Sequence, residues 1–157
     1  MKLTGIHIKN FKAIHEMKID SIENALILVG QNNTGKTTIL EAIRAAFGDY
    51  HISAEDFDGD CANIEMDLSL EFSIEDLKWL HQNGIVSQYK RYETWLEDFC
   101  KKLPSFSVNE GESGGVLQFT FIAHRVAGCA IRMGSTKIIP VSHRCFRRST
   151  IWMRSVI

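Results

Sequence analysis

Nine consecutive residues, Gly30, Gln31, Asn32, Asn33, Thr34, Gly35, Lys36, Thr37 and Thr38, fit the pattern G-x-x-x-x-G-K-[ST]. These residue types in this order suit the capture of a polyphosphate. Backbone N–H groups that converge at a helix N-terminus meet phosphate charge without being dehydrated and rearranged. Gly30 and Gly35 permit backbone angles and a close approach that a Cβ would block. Lys36 is the candidate catalytic residue, its ammonium set against the β and γ phosphates, and the Thr37 hydroxyl is the candidate Mg²⁺ ligand. A chance match in a glycine-containing turn is the alternative, and the flanking elements decide between the two.

Those elements are a strand before the loop and a helix after it. Residues 25–29, Ala-Leu-Ile-Leu-Val, form a short apolar run that reads as a buried central strand delivering the loop. Beyond the loop, Ile39, Ala42, Ile43 and Phe47 recur at helical spacing on one face. The sequence therefore predicts the order strand, loop, helix that the motif requires, with ATP and Mg²⁺ as the ligands.

Residues 1–14 alternate loosely through Leu3, Ile6, Ile8 and Phe11 and predict a strand ending near Asn10-Phe-Lys12, and residues 16–22 predict a second. The motif set Ile6-His-Ile-Lys-Asn-Phe-Lys12, the loop at 28–38 and Leu40-Glu-Ala-Ile43 resembles the opening of RecF/SMC-like ABC ATPases. It is most similar to the OLD (overcoming lysogenization defect) family of ATP-dependent endonucleases, whose ATPase domain is followed by a Toprim nuclease domain. The resemblance is tight over the first 47 residues and loose over the next 75. It implies an α/β P-loop NTPase fold with a mixed parallel and antiparallel sheet, present here as its N-terminal portion. It also implies ATP hydrolysis that needs downstream motifs, DNA as a partner of the full-length relative, and a homodimer or higher oligomer. By the same resemblance Lys12 is a candidate nucleotide contact; a solvated strand-end lysine is the competing reading.

Further along, residues 48–63 are polar and acidic, and Asp56, Asp58 and Asp60 invite a calcium-loop reading that Phe57 and the missing twelfth-position glutamate oppose. Residues 64–72 alternate strictly, placing Ile64, Met66, Leu68, Leu70 and Phe72 on one face of an antiparallel strand. Residues 73–103 predict a helix capped at Ser73, broken near Gly84 and ended by Pro104. Trp79, Tyr89, Tyr92 and Trp95, set among Lys90 and Arg91, could stack on bases, though core packing is the better fit to their spacing. Ser113-Gly-Gly115 resembles an ABC signature, but residues 116–122 alternate like a strand, so a hairpin loop is predicted there.

Composition sets outer limits. With 157 residues, 45% apolar and 24% charged, the chain reads as one soluble domain or part of one, with no apolar run of membrane-spanning length and no leader pattern. Cys61, Cys100, Cys129 and Cys145 lack metal-ligand spacing and read as reduced thiols of a cytoplasmic protein. The net charge of −1 is unevenly spread: all 19 acidic residues lie at or before Glu112, leaving residues 1–124 at net −8 and residues 125–157 with seven basic residues. Such a tail suits a nucleic-acid arm, but it also lacks any sustained hydrophobic period. Read one nucleotide earlier with suitable synonymous codons, residues 130–157 become a polar turn followed by a hydrophobic strand. The sequence thus divides into residues 1–124, the N-terminal part of a P-loop ATPase domain, and residues 125–157, an aberrant basic tail that is not a folded domain, with a reading-frame change between about Ala123 and Cys129. Sequencing the gene across codons 120–157 and onward tests this. The expected outcome is a neighbouring frame that stays open and encodes an Asp-Glu pair and a Toprim domain, and a frame that closes at once overturns it.

Overall fold

A computed structural model of the chain describes residues 1–23, 25–29, 35–109, 111, 114–126, 128–133 and 137–141, the last five by backbone alone. The predicted turn at Asn24, the loop residues Gly30, Gln31, Asn32, Asn33 and Thr34, the hairpin residue Ser113 and the tail from 142 to 157 lie outside the described residues. The elements in chain order are β1 (Lys2–Phe11), β2 (Ile14–Ile19), α1 (Lys36–Ala46), a 3₁₀ turn at Ala54–Asp56, β3 (Asn63–Ser73), α2 (Ile74–Gln82), α3 (Tyr92–Lys102), β4 (Phe106–Val108), β5 (Gly114–His124), β6 (Gly128–Met133) and β7 (Lys137–Val141).

These strands form one sheet in the order β2-β1-β3-β5-β6-β7, with β4 on the same side of β5 as β6. Strand β3 is its axis. Its apolar alternates are all buried, each at 1% exposure or less, while Glu65, Asp67, Ser69 and Glu71 stay partly wet. Eleven consecutive residue pairs run from Asn63 opposite His124 to Ser73 opposite Gly114, and β1 pairs along the other edge with Ile8 opposite Met66. Phe47 of the α1 C-cap meets Phe119 edge-on at 6.5 Å. Trp95 of α3 packs on Phe99 at 4.9 Å, Phe99 meets Phe106 edge-on at 5.0 Å, and Phe106 in turn meets Phe72 at 5.9 Å. Leu77 and Leu80 of α2 complete the same core.

Local chemistry explains the boundaries. Ser73 caps α2 as predicted: its Oγ accepts from the Asp76 N–H at 3.2 Å, and the Asp76 carboxylate accepts from the Ser73 N–H at 2.8 Å. The N-terminal ammonium of Met1 sits 2.5 Å from the same carboxylate. At Gly84, φ is +64°, and the chain leaves the helix there. Gly114 and Gly115 are explained by crowding at the β4–β5 hairpin, since a Cβ would lie 2.1 Å from the Phe72 carbonyl oxygen at the first and 2.3 Å from the Phe106 ring at the second. The Gly-Gly pair is thus required by strand packing, in line with the hairpin predicted from the sequence.

Three expectations need correction. The sheet is antiparallel at every pairing among the described residues, not mixed. Residues 25–29 are not a buried strand: they pair with no strand among the described residues, and Ile27 and Val29 are 80% and 89% exposed. Apolar β-formers supply a face, but a strand also needs a neighbour to bond. Leu28 alone packs on the core from this segment. Lastly, the aromatics of residues 73–103 divide: Trp95 is fully buried and donates its indole N–H to the Ile85 carbonyl at 2.9 Å, whereas Trp79 and Tyr89 are 40% and 44% exposed.

The sheet also continues past Arg125. Cys129, Ile131 and Met133 of β6 face the core opposite β5, and β7 pairs with β6. Arg125 itself anchors the preceding loop, its guanidinium 5.1 Å over the Phe57 ring and 2.5 Å from the Gly59 carbonyl. Replacing Ser73 by Ala is expected to lower stability by about 1 kcal/mol, the usual loss for a helix cap. Urea unfolding followed by circular dichroism measures this, with an unchanged midpoint counting against the cap.

Candidate functional site

The described part of the phosphate-loop motif begins at Gly35. This residue is the N-cap of α1 in the left-handed region, φ +82°, and its carbonyl accepts the Ile39 N–H at 3.1 Å. No side chain caps the helix and no acid lies in its first turn, so no carboxylate there offsets the positive end of the helix dipole. Lys36 and Thr37 are the first two residues of α1 and Thr38 the third; Thr37 is exposed and the other two half-buried. Ile39, Ala42, Ala45 and Ala46 bury the opposite face of the helix, which holds that end fixed. The structure therefore brings Gly35, Lys36, Thr37 and Thr38 together at one helix end. These residues fit a Mg²⁺-bound polyphosphate: a glycine with the required positive φ, a helix N-terminus, a cation and a hydroxyl.

Lys12 lies against the same helix. Its ammonium is 2.7 Å from Glu41 of α1 and 3.5 Å from Asp56, and it stands 4.9 Å over the Tyr50 ring and 5.6 Å over Phe11. The backbone beneath it is pinned as well. Asn10 and Lys12 both have positive φ, the Lys12 N–H donates to the Asp56 carbonyl at 2.7 Å, and the Asp58 N–H donates to the Asn10 carbonyl at 3.1 Å. Burial alone would make the Lys12 ammonium easier to deprotonate; the Glu41 hydrogen bond and the neighbouring Tyr50 outweigh it, and its pKa is raised.

Asp56 is the buried acid of the group, 4% exposed. Its carboxylate accepts from the Ser53 N–H at 2.7 Å, the Ser53 hydroxyl at 3.1 Å and the Tyr50 hydroxyl at 2.9 Å. Burial opposes its ionisation, but these donors together with Lys12 hold its pKa below the usual carboxylate value. Sequence reading found Lys12 but missed Glu41, Tyr50, Ser53 and Asp56. One signal was available, because Ser53-Ala-Glu-Asp56 is a capping-box pattern. The calcium reading of Asp56, Asp58 and Asp60 is not supported: Asp56 faces inward, Asp58 pairs with His15 at 2.5 Å, and no cluster of metal-binding side chains occurs among the described residues.

With the helix end and its surroundings in place, comparison with known proteins settles the family. Residues 1–121 match the family model described as an AAA ATPase domain. The chain belongs to that family. Over 43 residues it is 54% identical to the DNA replication and repair protein RecF of Lactococcus lactis subsp. lactis (strain IL1403), a stretch covering 27% of this chain and 12% of that protein. Over 38 residues it is 47% identical to the uncharacterized protein MJECL10 of Methanocaldococcus jannaschii, covering 24% and 17% of the two. The chain thus spans less than a fifth of the length of either relative in these matches. A solved structure from work on ATP-driven dimerization and DNA-stimulated activation of SMC ATPases superposes with a TM-score of 0.56 at 12% identity, covering 96% of this chain and 80% of that one. At that identity the likeness is one of fold. Family and fold together make this an ATPase domain similar to those of RecF and SMC proteins. No helix among the described residues is long and apolar enough to cross a membrane.

The Asp56 carboxylate gives a pH dependence whose sign follows from its lowered pKa. Its contribution to stability is present above the unfolded-state value of 3.8 and is lost as pH falls through the lower folded value. Asp56→Asn is expected to cost about 2 kcal/mol at pH 7, the scale of hydrogen bonds to a charged acceptor, and progressively less in acid. Thermal melts of both proteins between pH 7 and pH 3 check this, and parallel curves would contradict it.

Proposed function

We propose that the chain binds Mg-ATP at the N-terminus of α1, as the N-terminal part of an ATP-dependent DNA endonuclease of the OLD type. The observation that carries the binding reading is Gly35 at φ +82° opening an uncapped, acid-free helix whose first residues are Lys36, Thr37 and Thr38. Gly30, Gln31, Asn32, Asn33 and Thr34 would complete the cradle, Lys36 would stabilise phosphate charge, and Thr37 would hold Mg²⁺. When bound, Mg²⁺ supplies charge neutralisation between the β and γ phosphates.

Support for a larger parent domain comes from residues 25–29. Their outward apolar side chains, Ile27 and Val29, lie immediately before the loop with no strand beside them among the described residues. A further element packed on that face would cover them. Hydrolysis would need an activator of the attacking water, and none is evident beside the helix end among the described residues, so this reading expects nucleotide binding with little or no turnover. DNA and a second copy as partners belong to that fuller protein.

A second reading, a RecF-like repair or recombination ATPase without a nuclease, is favoured by the 54% identity to RecF over 43 residues. Downstream Toprim acids separate the two. For either reading, Lys36→Ala is expected to weaken Mg-ATP binding by at least about tenfold, roughly the effect of one charge-assisted phosphate contact. Isothermal titration of the 157-residue protein measures this, and equal affinity in the variant rejects the site.

A further inference from the structure

Between the end of α2 and the segment that leads to α3 lies a cavity of about 330 Å³, lined by residues 81–84 and 88–90. That volume falls within the range of small-molecule sites, about 300–1,000 Å³. Gln82, Asn83 and Gln88 bring side-chain amides to it, Tyr89 an aromatic face and Lys90 a cation. Tyr89 is 44% exposed, and Trp79, one helical turn before Asn83 on the same side of α2, is 40% exposed. Neither ring belongs to the core that takes Trp95 and Phe99.

The charge around this cavity runs against the rest of the chain. Residues 1–124 total −8, yet from Leu77 to Tyr92 there is no acid, and Lys78, Lys90 and Arg91 are all exposed. Lys78 stands one turn before Gln82 on α2, so cations flank the cavity from the helix and from the loop. The acids that bound the stretch are Asp76, engaged by the Met1 ammonium and the Ser73 N–H, and Glu93, 3.9 Å from Arg91 with both side chains largely in solvent. The loop is also held in shape. Gly84 and Val86 have φ of +64° and +71°, and at a β-branched residue that conformation persists only where the surroundings impose it. Here the Trp95 indole N–H donates to the Ile85 carbonyl at 2.9 Å, the Lys102 ammonium to the Val86 carbonyl at 3.2 Å, and the Ser87 hydroxyl to Asp98. The His81 ring donates through Nε2 to the Tyr89 carbonyl at 2.8 Å, which fixes the backbone from which the Tyr89 ring projects.

We propose that this cavity and its rim bind single-stranded nucleic acid, with a base stacked on Tyr89, its edge met by the amides of Gln82, Asn83 and Gln88, and the neighbouring phosphates met by Lys78, Lys90 and Arg91. Unpaired bases offer the faces and edges that these groups suit, and a duplex conceals them. An acidic peptide would satisfy the cations but leave the aromatic face and the three amides unused. The site lies on α2 and the loop after it, and does not rest on the Mg-ATP reading of α1.

The test is fluorescence anisotropy of labelled oligothymidylate titrated with the 157-residue chain in the absence of nucleotide, with oligouridylate beside it to tell DNA from RNA as the source of the strand. Tyr89→Ala is expected to weaken binding about tenfold, the scale of one lost base stack, while Tyr89→Phe keeps it. Lys90→Gln combined with Arg91→Gln is expected to lower the slope of log affinity against log salt by about 1.4, for two phosphate contacts on a single strand. The basic tail is the rival source of affinity, so Arg147→Gln combined with Arg148→Gln is the control and is expected to change neither quantity. Absence of binding overturns the proposal, as do equal affinity for a duplex of the same length, full competition by polyglutamate, or a loss in the tail control as large as that of Tyr89→Ala. Thermal melts accompany each variant. Should Tyr89→Ala fail to fold, the Lys90 and Arg91 double variant decides alone, since both residues are exposed, and an unchanged salt slope rejects the site.

Discussion

The alternation of β3 is the constraint on which the other elements depend. Five consecutive inward positions, Ile64, Met66, Leu68, Leu70 and Phe72, are buried in the middle of the sheet with partners on both edges. Burying side chains of this size contributes about 1.5–3 kcal/mol each relative to exposure. A one-residue slip would place Glu65, Asp67, Ser69 and Glu71 in the core instead, so the register admits no close competitor. With β3 fixed, β1 is fixed, and the turn at Asn10, Phe11 and Lys12 falls at the end where β3 begins. That is why the Asn10 side chain finds the Asn63 carbonyl, and why Lys12 arrives beside α1.

The glycines show how the same constraint reaches the loops. At Gly114 and Gly115 the backbones of β3 and β4 come so close that no Cβ fits, and the feature that resembles a nucleotide-sensing signature is a packing solution for a hairpin. Gly35 is the opposite case: a Cβ there would meet nothing within 4 Å, yet φ is +82°. Space does not require glycine at that position; backbone conformation does.

Short-range patterns were legible in the sequence, and long-range pairings were not. The apolar face of α1, the capping box at Ser73, the break at Gly84 and the strict alternation of β3 each depend on residues a few positions apart. The strand reading of residues 25–29 failed because a strand is a relation between two segments, and apolar β-formers state only half of it. The assumption of a mixed sheet failed with it. The Lys12 group was invisible for a related reason: Glu41 and Asp56 are 29 and 44 positions away, and no local period connects them. The exposed Trp79 and Tyr89 mark a further limit, since helical spacing puts aromatics on a face but does not say that the whole face is covered.

The net charge of the chain bears on any anion it would hold. Residues 1–124 carry net −8, so their long-range field disfavours a polyanion. Screening confines that field to about 8–10 Å at physiological ionic strength, which leaves the first turn of α1 to decide the outcome locally. There the structure keeps acids out of the helix end while holding Glu41 on the next turn, neutralised by Lys12. An unpaired Glu41 would place a full negative charge little more than a turn from the phosphates. The Lys12 ion pair therefore joins the end of β1 to α1 and offsets the one carboxylate that α1 carries.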